Sequence, residues 1–216
     1  KLEVDNSIKD FGLTPVRYLE SLGCFKNKTI LAHGVHLTDE EINLLKQYDT
    51  TIVHCPSSNC KLASGIARIK TLRDAGIPLA FGTDGASSNN SLNMMKEINL
   101  GCMIASASTM DTKALRPYDA LKMATTGGAK ALGLDKLTGT LEKGKKADLI
   151  MVNMNSVNNI PTNNVYSALV YSATAEDIKN VFCNGEMIMK NRRLLTIDER
   201  RVKERTSKTW KDICSR

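Results

Sequence analysis

Three residues combine useful chemistry with a telling placement. His33, His54 and Asp84 stand at or just after the ends of short apolar runs, Thr29-Ile30-Leu31-Ala32, Thr51-Ile52-Val53 and Leu79-Ala80-Phe81. A histidine titrates near neutrality and can move protons, whereas a carboxylate can hold a cation or accept a proton. Asp84 is the sharpest of the three. After a buried-type run, its charge needs a metal, an arginine or backbone amides, because bare buried charge is costly. The expectation is therefore a carboxylate in apolar surroundings, neutralised by a divalent cation. On such an ion it would serve as ligand and also take a proton from bound water, whose pKa the metal lowers to about 7. The competing readings are an N-capping or loop-bracing Asp84 and a structural, hydrogen-bonding His33.

The elements that carry these residues read as βα units. Thr14-Pro15 opens a helix that Gly23 closes, and Thr38 to Glu41 forms a capping box. A further helix spans Gly65 to Ala75, stopped by Gly76 and Pro78. Strands alternating with helices predict a parallel sheet, whose C-terminal edge is where sites are built. His33 to His54 is 21 residues and His54 to Asp84 is 30, close to the roughly 25–40 residues of one βα unit in an eightfold barrel. Helices follow at 92–106, 117–125 and 129–132. Ala147–Val152 and Val165–Tyr171 read as strands, and Asp177–Cys183 with Glu186–Met189 as a hairpin around Asn184-Gly185. Asp198 caps a final amphipathic helix with Val202, Trp210 and Ile213 among its apolar positions.

The fold class expected is α/β: the C-terminal part of a TIM-type (β/α)8 barrel over 1–137, part of a small β-sandwich over 138–197, and a terminal helix over 198–216. Three barrel strands would leave open edges, whereas a closed barrel needs eight strands and about 250 residues. The chain therefore reads as the C-terminal part of a larger protein, and its start at Lys1 rather than Met agrees.

Composition narrows the class. The 216 residues are 42% hydrophobic and 25% charged, as in an ordinary globular domain. No apolar run spans a bilayer and no secretory signal opens the chain, so a cytoplasmic protein with no membrane partner is expected. Of the net charge of +7, the segment Lys190–Arg216 contributes +6, ten basic residues against four acidic. That pattern reads as a solvated helix face and predicts no nucleic-acid partner. The six cysteines include no CxxC and read as reduced core thiols; a Cys55/Cys60/His54 metal site lacks a second pair to complete it. GTLEKGK at 139–145 has phosphate-loop spacing but leads into a strand pattern. Met94, Met95, Met103 and Met110 read as core filling.

Four ordered motifs carry a resemblance. Ile30-Leu31-Ala32-His33-Gly34-Val35-His36-Leu37, Val53-His54-Cys55-Pro56-Ser57-Ser58-Asn59, Lys61-Leu62-Ala63-Ser64-Gly65 and Gly82-Thr83-Asp84-Gly85 are similar to the last three barrel strands of the metal-dependent amidohydrolase superfamily. GTLEKGKKADLIMVN resembles that superfamily's return into a composite β-domain. Within it, GTDGASSNNSLNMMKEI is most similar to 5′-methylthioadenosine/S-adenosylhomocysteine deaminases; guanine deaminases and triazine chlorohydrolases remain alternatives. The resemblance implies one divalent metal, most simply Zn2+, and a purine nucleoside substrate. It implies Asp84 as metal ligand and base, and His33 as partner of the attacking hydroxide. His54 would border the pocket, with Asn59 and Ser88 on loops facing substrate. The superfamily's His-x-His and His-x-x-Glu motifs are not in this sequence, so these 216 residues alone are expected neither to hold zinc tightly nor to turn over. A homo-oligomer completed by an N-terminal half-barrel is expected. A non-catalytic assembly module, docking a partner through the basic terminal helix, is the alternative of another class.

Overall fold

The computed structural model describes residues 1–215. Helices α1 (Leu2–Phe11) and α2 (Pro15–Ser21) lead into strand β1 (Ile30–Ala32), followed by α3 (Asp39–Gln47) and β2 (Thr51–His54). Then come α4 (Pro56–Lys61), α5 (Ile69–Asp74), β3 (Leu79–Phe81), α6 (Ala86–Asn89) and α7 (Met94–Thr109). The expected helix starting at Gly65 begins only at Ile69. Thr14 caps α2 with Pro15 at its first position, and Thr38 and Glu41 close a reciprocal capping box on α3.

The three strands pair in parallel in the order β1-β2-β3. Leu31, Ile52 and Leu79 share one register row and pack into the helix layer, whose core includes Leu45, Leu72, Ile98 and Leu115. On β1, Ile30 and Ala32 alternate to the other face and are exposed. β1 and β3 are the edge strands of this sheet.

Beyond α7 lie α8 (Pro117–Lys122), a π-helical turn (Met123–Gly127) and α9 (Gly128–Ala131). Gly127 lets this segment sit directly on the sheet: a Cβ there would lie 2.4 Å from the Leu79 carbonyl oxygen. Strand β4 (Leu149–Val152) comes next, so the phosphate-loop spacing at 139–145 leads into a strand, not into a helix. Then follow α10 (Val165–Tyr171), β5 (Ile178–Cys183), β6 (Glu186–Lys190), the short β7 (Arg193–Leu194) and α11 (Glu199–Cys214). Strands β4 to β7 form one antiparallel sheet in sequence order. Asn184 and Gly185 turn its hairpin, both on left-handed backbone.

Three expectations fail here. The segment 165–171 is a helix rather than a strand, because Asn164 caps it on the Ser167 N–H and its β-formers cannot outweigh that cap. Its Val170 joins the main core and its carbonyl accepts from Asn99, so this part of the expected sandwich segment packs with the helix layer. The cysteines are all free, yet only Cys55 and Cys102 are buried. Of the methionines expected as core, Met110 is 92% exposed and Met103 is exposed too. Met94 and Met95 line an apolar groove of about 970 Å3 between the helix layer and the antiparallel sheet. The cap of α11 at Asp198 is as expected, and the helix buries no side chain.

Candidate active site

Asp84 and His33 meet at the C-terminal edge of the parallel sheet. His33 Nε2 lies 4.0 Å from Asp84 Oδ2. Both residues stand on left-handed backbone, with φ of 72° and 60°. Residues with a Cβ adopt this region at a cost of about 1–2 kcal/mol, and such outliers concentrate at functional sites. At His33 the left-handed turn breaks the strand alternation that would otherwise pair it in register with His54.

Asp84 is not in apolar surroundings. Its side chain is 35% exposed and is cradled by donors. Ser58 Oγ and Ser88 Oγ each donate to Oδ2 at 2.7 Å, and the Gly85 backbone N–H donates to Oδ1 at 2.7 Å. Led by Ser88, these donors hold the carboxyl at about 2, well below its ordinary range. The compensation inferred from sequence is therefore present, but as hydroxyls and an amide. The surroundings do not by themselves demand a cation; the pairing with His33 now carries the functional reading.

The His33 ring is oriented by Asn59. Its Nδ1 donates to Asn59 Oδ1 at 2.7 Å, which leaves Nε2 as the nitrogen facing Asp84. Asn59 and Ser88, expected on loops facing substrate, are both buried and committed to His33 and Asp84 respectively. His54, expected to border the pocket, is 2% exposed. It follows Ile52 on the helix-facing side of β2 and packs beside Phe81, near Gly101 of α7. Its Nδ1 has no partner among the described residues, and burial, then the charge of His33, lowers its pKa to about 4. Cys55 is pushed up to about 11 by burial, then by the charges of Asp84 and Glu97, so it is a thiol rather than a thiolate ligand. With Cys60 exposed, the Cys55/Cys60 alternative has no support.

Ser58 and Glu97 escaped the sequence reading. Ser58 stands in the Val53–Asn59 motif, where a serine by itself signals no role. Glu97 reads as one more charge in an amphipathic helix; only its position on the inward face of α7 distinguishes it.

Among the described residues no three His, Cys, Asp or Glu side chains cluster as a metal centre. The donors present are one carboxylate and one free imidazole nitrogen. Both types suit zinc, but a zinc site takes at least three protein ligands. These residues fit as part of such a site.

Residues 1–188 match the sequence profile of the amidohydrolase family. The chain belongs to that family. Among its relatives, a 5-methylthioadenosine/S-adenosylhomocysteine deaminase of Syntrophomonas wolfei is 42% identical over 99% of this chain and 50% of that protein. A 5′-deoxyadenosine deaminase of Methanosphaera stadtmanae is 43% identical over 91% of the chain and 46% of that protein. In three dimensions the chain matches an adenosine deaminase from Xanthomonas campestris, solved with bound zinc, at a TM-score of 0.94 and 36% identity. That match covers 98% of this chain and 48% of that one. A zinc complex of atrazine chlorohydrolase from Arthrobacter aurescens matches at a TM-score of 0.89 and 28% identity, covering 95% and 46%. This amidohydrolase chain thus spans about half the length of the curated relatives it matches.

Proposed function

We propose that this chain is the C-terminal part of a zinc-dependent hydrolase that deaminates adenine-type nucleosides of the methylthioadenosine and adenosylhomocysteine class. In this reading, residues 1–137 contribute strands six to eight of a (β/α)8 barrel, 138–197 part of a composite β-sandwich together with α10, which packs on the helix layer, and 198–216, whose last residue lies outside the described residues, a terminal helix. The position of β1 at the sheet edge and its exposed Ile30 and Ala32 fit strands supplied from outside these residues. All six cysteines are free, which suits a reducing cytoplasm, and no helix is long and apolar enough to cross a membrane. A homo-oligomer is part of the same proposal.

The observation that carries it is the facing pair of His33 Nε2 and Asp84 Oδ2, each fixed by its own hydrogen-bond partners. Asp84 would ligate the ion with further ligands from outside the chain. When bound, a divalent ion acidifies water to a pKa of about 7. Asp84, whose Oδ2 lies 4.0 Å from His33 Nε2, is the group to hold the proton that the nucleophilic water loses. His33 Nε2 is the group to hydrogen-bond the oxygen that adds to the ring carbon bearing the amino group. The carbon–nitrogen bond then breaks, the retained proton goes to the leaving nitrogen, and ammonia departs.

The test is ammonia release by the full-length protein from 5′-methylthioadenosine and S-adenosylhomocysteine, with zinc measured on the same sample. Release at zinc-dependent rates is expected. A zinc-replete protein that releases ammonia from neither refutes the substrate assignment. Activity on guanine, or chloride release from a triazine, would transfer the reading to those branches of the family. Inactivity on all of them favours an assembly module.

A further inference from the structure

Glu97 lies on α7, is 0% exposed, and is engaged in no ion pair among the described residues. Among the described residues its carboxylate is met by two N–H donors. Oε2 accepts from the Ser57 backbone N–H at 3.0 Å, and Oε1 accepts from Asn89 Nδ2 at 2.8 Å. Asn89 Nδ2 also donates to the Thr83 carbonyl at 2.7 Å. Ser57, Asn89 and Thr83 are the chain neighbours of Ser58, Ser88 and Asp84. Each contact in the Glu97 network is thus one peptide away from a member of the Asp84 cradle. Through Ser57 the carboxylate fixes the first turn of α4, which presents the Ser58 hydroxyl. Through Asn89 it fixes the end of α6, which presents the Ser88 hydroxyl. A buried charge without a counterion is a costly way to join two loops. An amide could accept from only one of the two donors, because its nitrogen would face the other N–H; a carboxylate accepts from both.

We propose that Glu97 is a positioning residue, which locks the loops after β2 and β3 together so that Ser58 and Ser88 converge on one oxygen of Asp84. Among the described residues it hydrogen-bonds neither His33 nor Asp84 and acts through Ser57 and Asn89, the neighbours of Ser58 and Ser88. The proposal rests on the role given to Asp84 under the proposed function.

The experiment compares Glu97→Gln with the wild-type full-length protein by zinc affinity, steady-state kinetics and melting temperature. Outer partners of metal ligands are worth about 10–100-fold in affinity or activity. Glu97→Gln is expected to weaken zinc at least about tenfold. It should lower kcat on 5′-methylthioadenosine by about as much, with KM within about threefold. A lower melting temperature with zinc affinity and kcat unchanged overturns the proposal, since the residue would then be structural only. Should Glu97→Gln fail to fold, Asn89→Ala, which removes the same bridge, must fold and weaken zinc likewise; full zinc affinity in that variant, or loss of fold in both, overturns the proposal. If the wild type deaminates nothing, the functional reading falls, but a crystal structure of Glu97→Gln still decides this one. Ser58 Oγ beyond about 3.5 Å from Asp84 Oδ2 supports it, and an unchanged cradle overturns it.

Discussion

His54 should make this fold sensitive to mild acid. It is 2% exposed, its Nδ1 lacks a partner among the described residues, and burial followed by the charge of His33 lowers its pKa from 6.5 to about 4. The unfolded chain would take up this proton near the ordinary value, and the folded chain would not. Between about pH 6.5 and 4 the unfolded state therefore binds more protons, and stability is lost as pH falls through that window. Above it the full contribution is present; below it both states are protonated and the loss stops growing. The 2.5-unit gap, at 1.36 kcal/mol per unit, amounts to about 3 kcal/mol, most of it lost by about pH 4.5.

Carboxylates titrate in the same range, so the informative quantity is a difference. Replacing His54 by Leu removes the titrating ring without leaving an unsatisfied polar atom beside Phe81 and Gly101. Urea unfolding followed by far-ultraviolet circular dichroism, at about pH 7.5 and about pH 4.5, gives the stability of each protein. The His54 protein should lose about 2–3 kcal/mol more than His54→Leu between the two conditions. Asp84, held at about 2, stays ionised throughout and contributes little to either loss. Equal losses, within about 0.5 kcal/mol, would mean that His54 is protonated in the folded state. The assignment of a neutral core histidine would then be wrong.

Other substitutions test neighbouring steps. Gly127→Ala should destabilise by about 2 kcal/mol, measured by denaturant midpoint. The new Cβ meets backbone oxygens of Leu79 and Lys122 at 2.4 and 3.2 Å, which outweighs the roughly 1 kcal/mol that alanine gains in a free helix. Thr38→Ala breaks the capping box of α3 and should cost about 1 kcal/mol by the same assay. In the full-length protein, Asp84→Asn should lower ammonia release at least about 100-fold and weaken zinc, measured on a zinc-titrated sample. His33→Ala should lower kcat by a similar factor, about 100-fold, while the melting temperature moves by only a few degrees, because the ring is partly exposed.

Much of the fold was legible because local signals and periodicity agreed. β1, β2 and β3 are short apolar runs bounded by helix signals, and the caps at Thr14, Thr38 and Asp198 are where the sequence puts them. Residues 165–171 misled because Val, Tyr, Ala and Leu serve a buried helix as well as a strand. Only Asn164 broke the tie. Of the site, His33 and Asp84 were legible as side chains at strand ends. Their hydrogen-bond partners Ser58 and Asn59, and Glu97 one step behind them, were not: each acquires a role only when loops after different strands are brought together. Nor was the surrounding of Asp84, since an apolar strand says little about the turn that follows it.

The two histidines show what decides. His33 and His54 follow equivalent strands, and the register would set them side by side. A strand's two-residue period assigns both to the helix-facing side, where His54 goes and where burial keeps it neutral. His33 escapes only because its own backbone turns left-handed before the strand can continue, which frees the ring to reach Asn59 and Asp84. Spacing along the chain cannot separate these outcomes, because the difference lies in one dihedral angle. The chemistry proposed for this sheet edge would therefore depend on a local departure from strand geometry, and the same departure recurs at Asp84. A backbone held in this way needs rigid loops around it, which is the task that Ser58, Asn59 and Ser88 share.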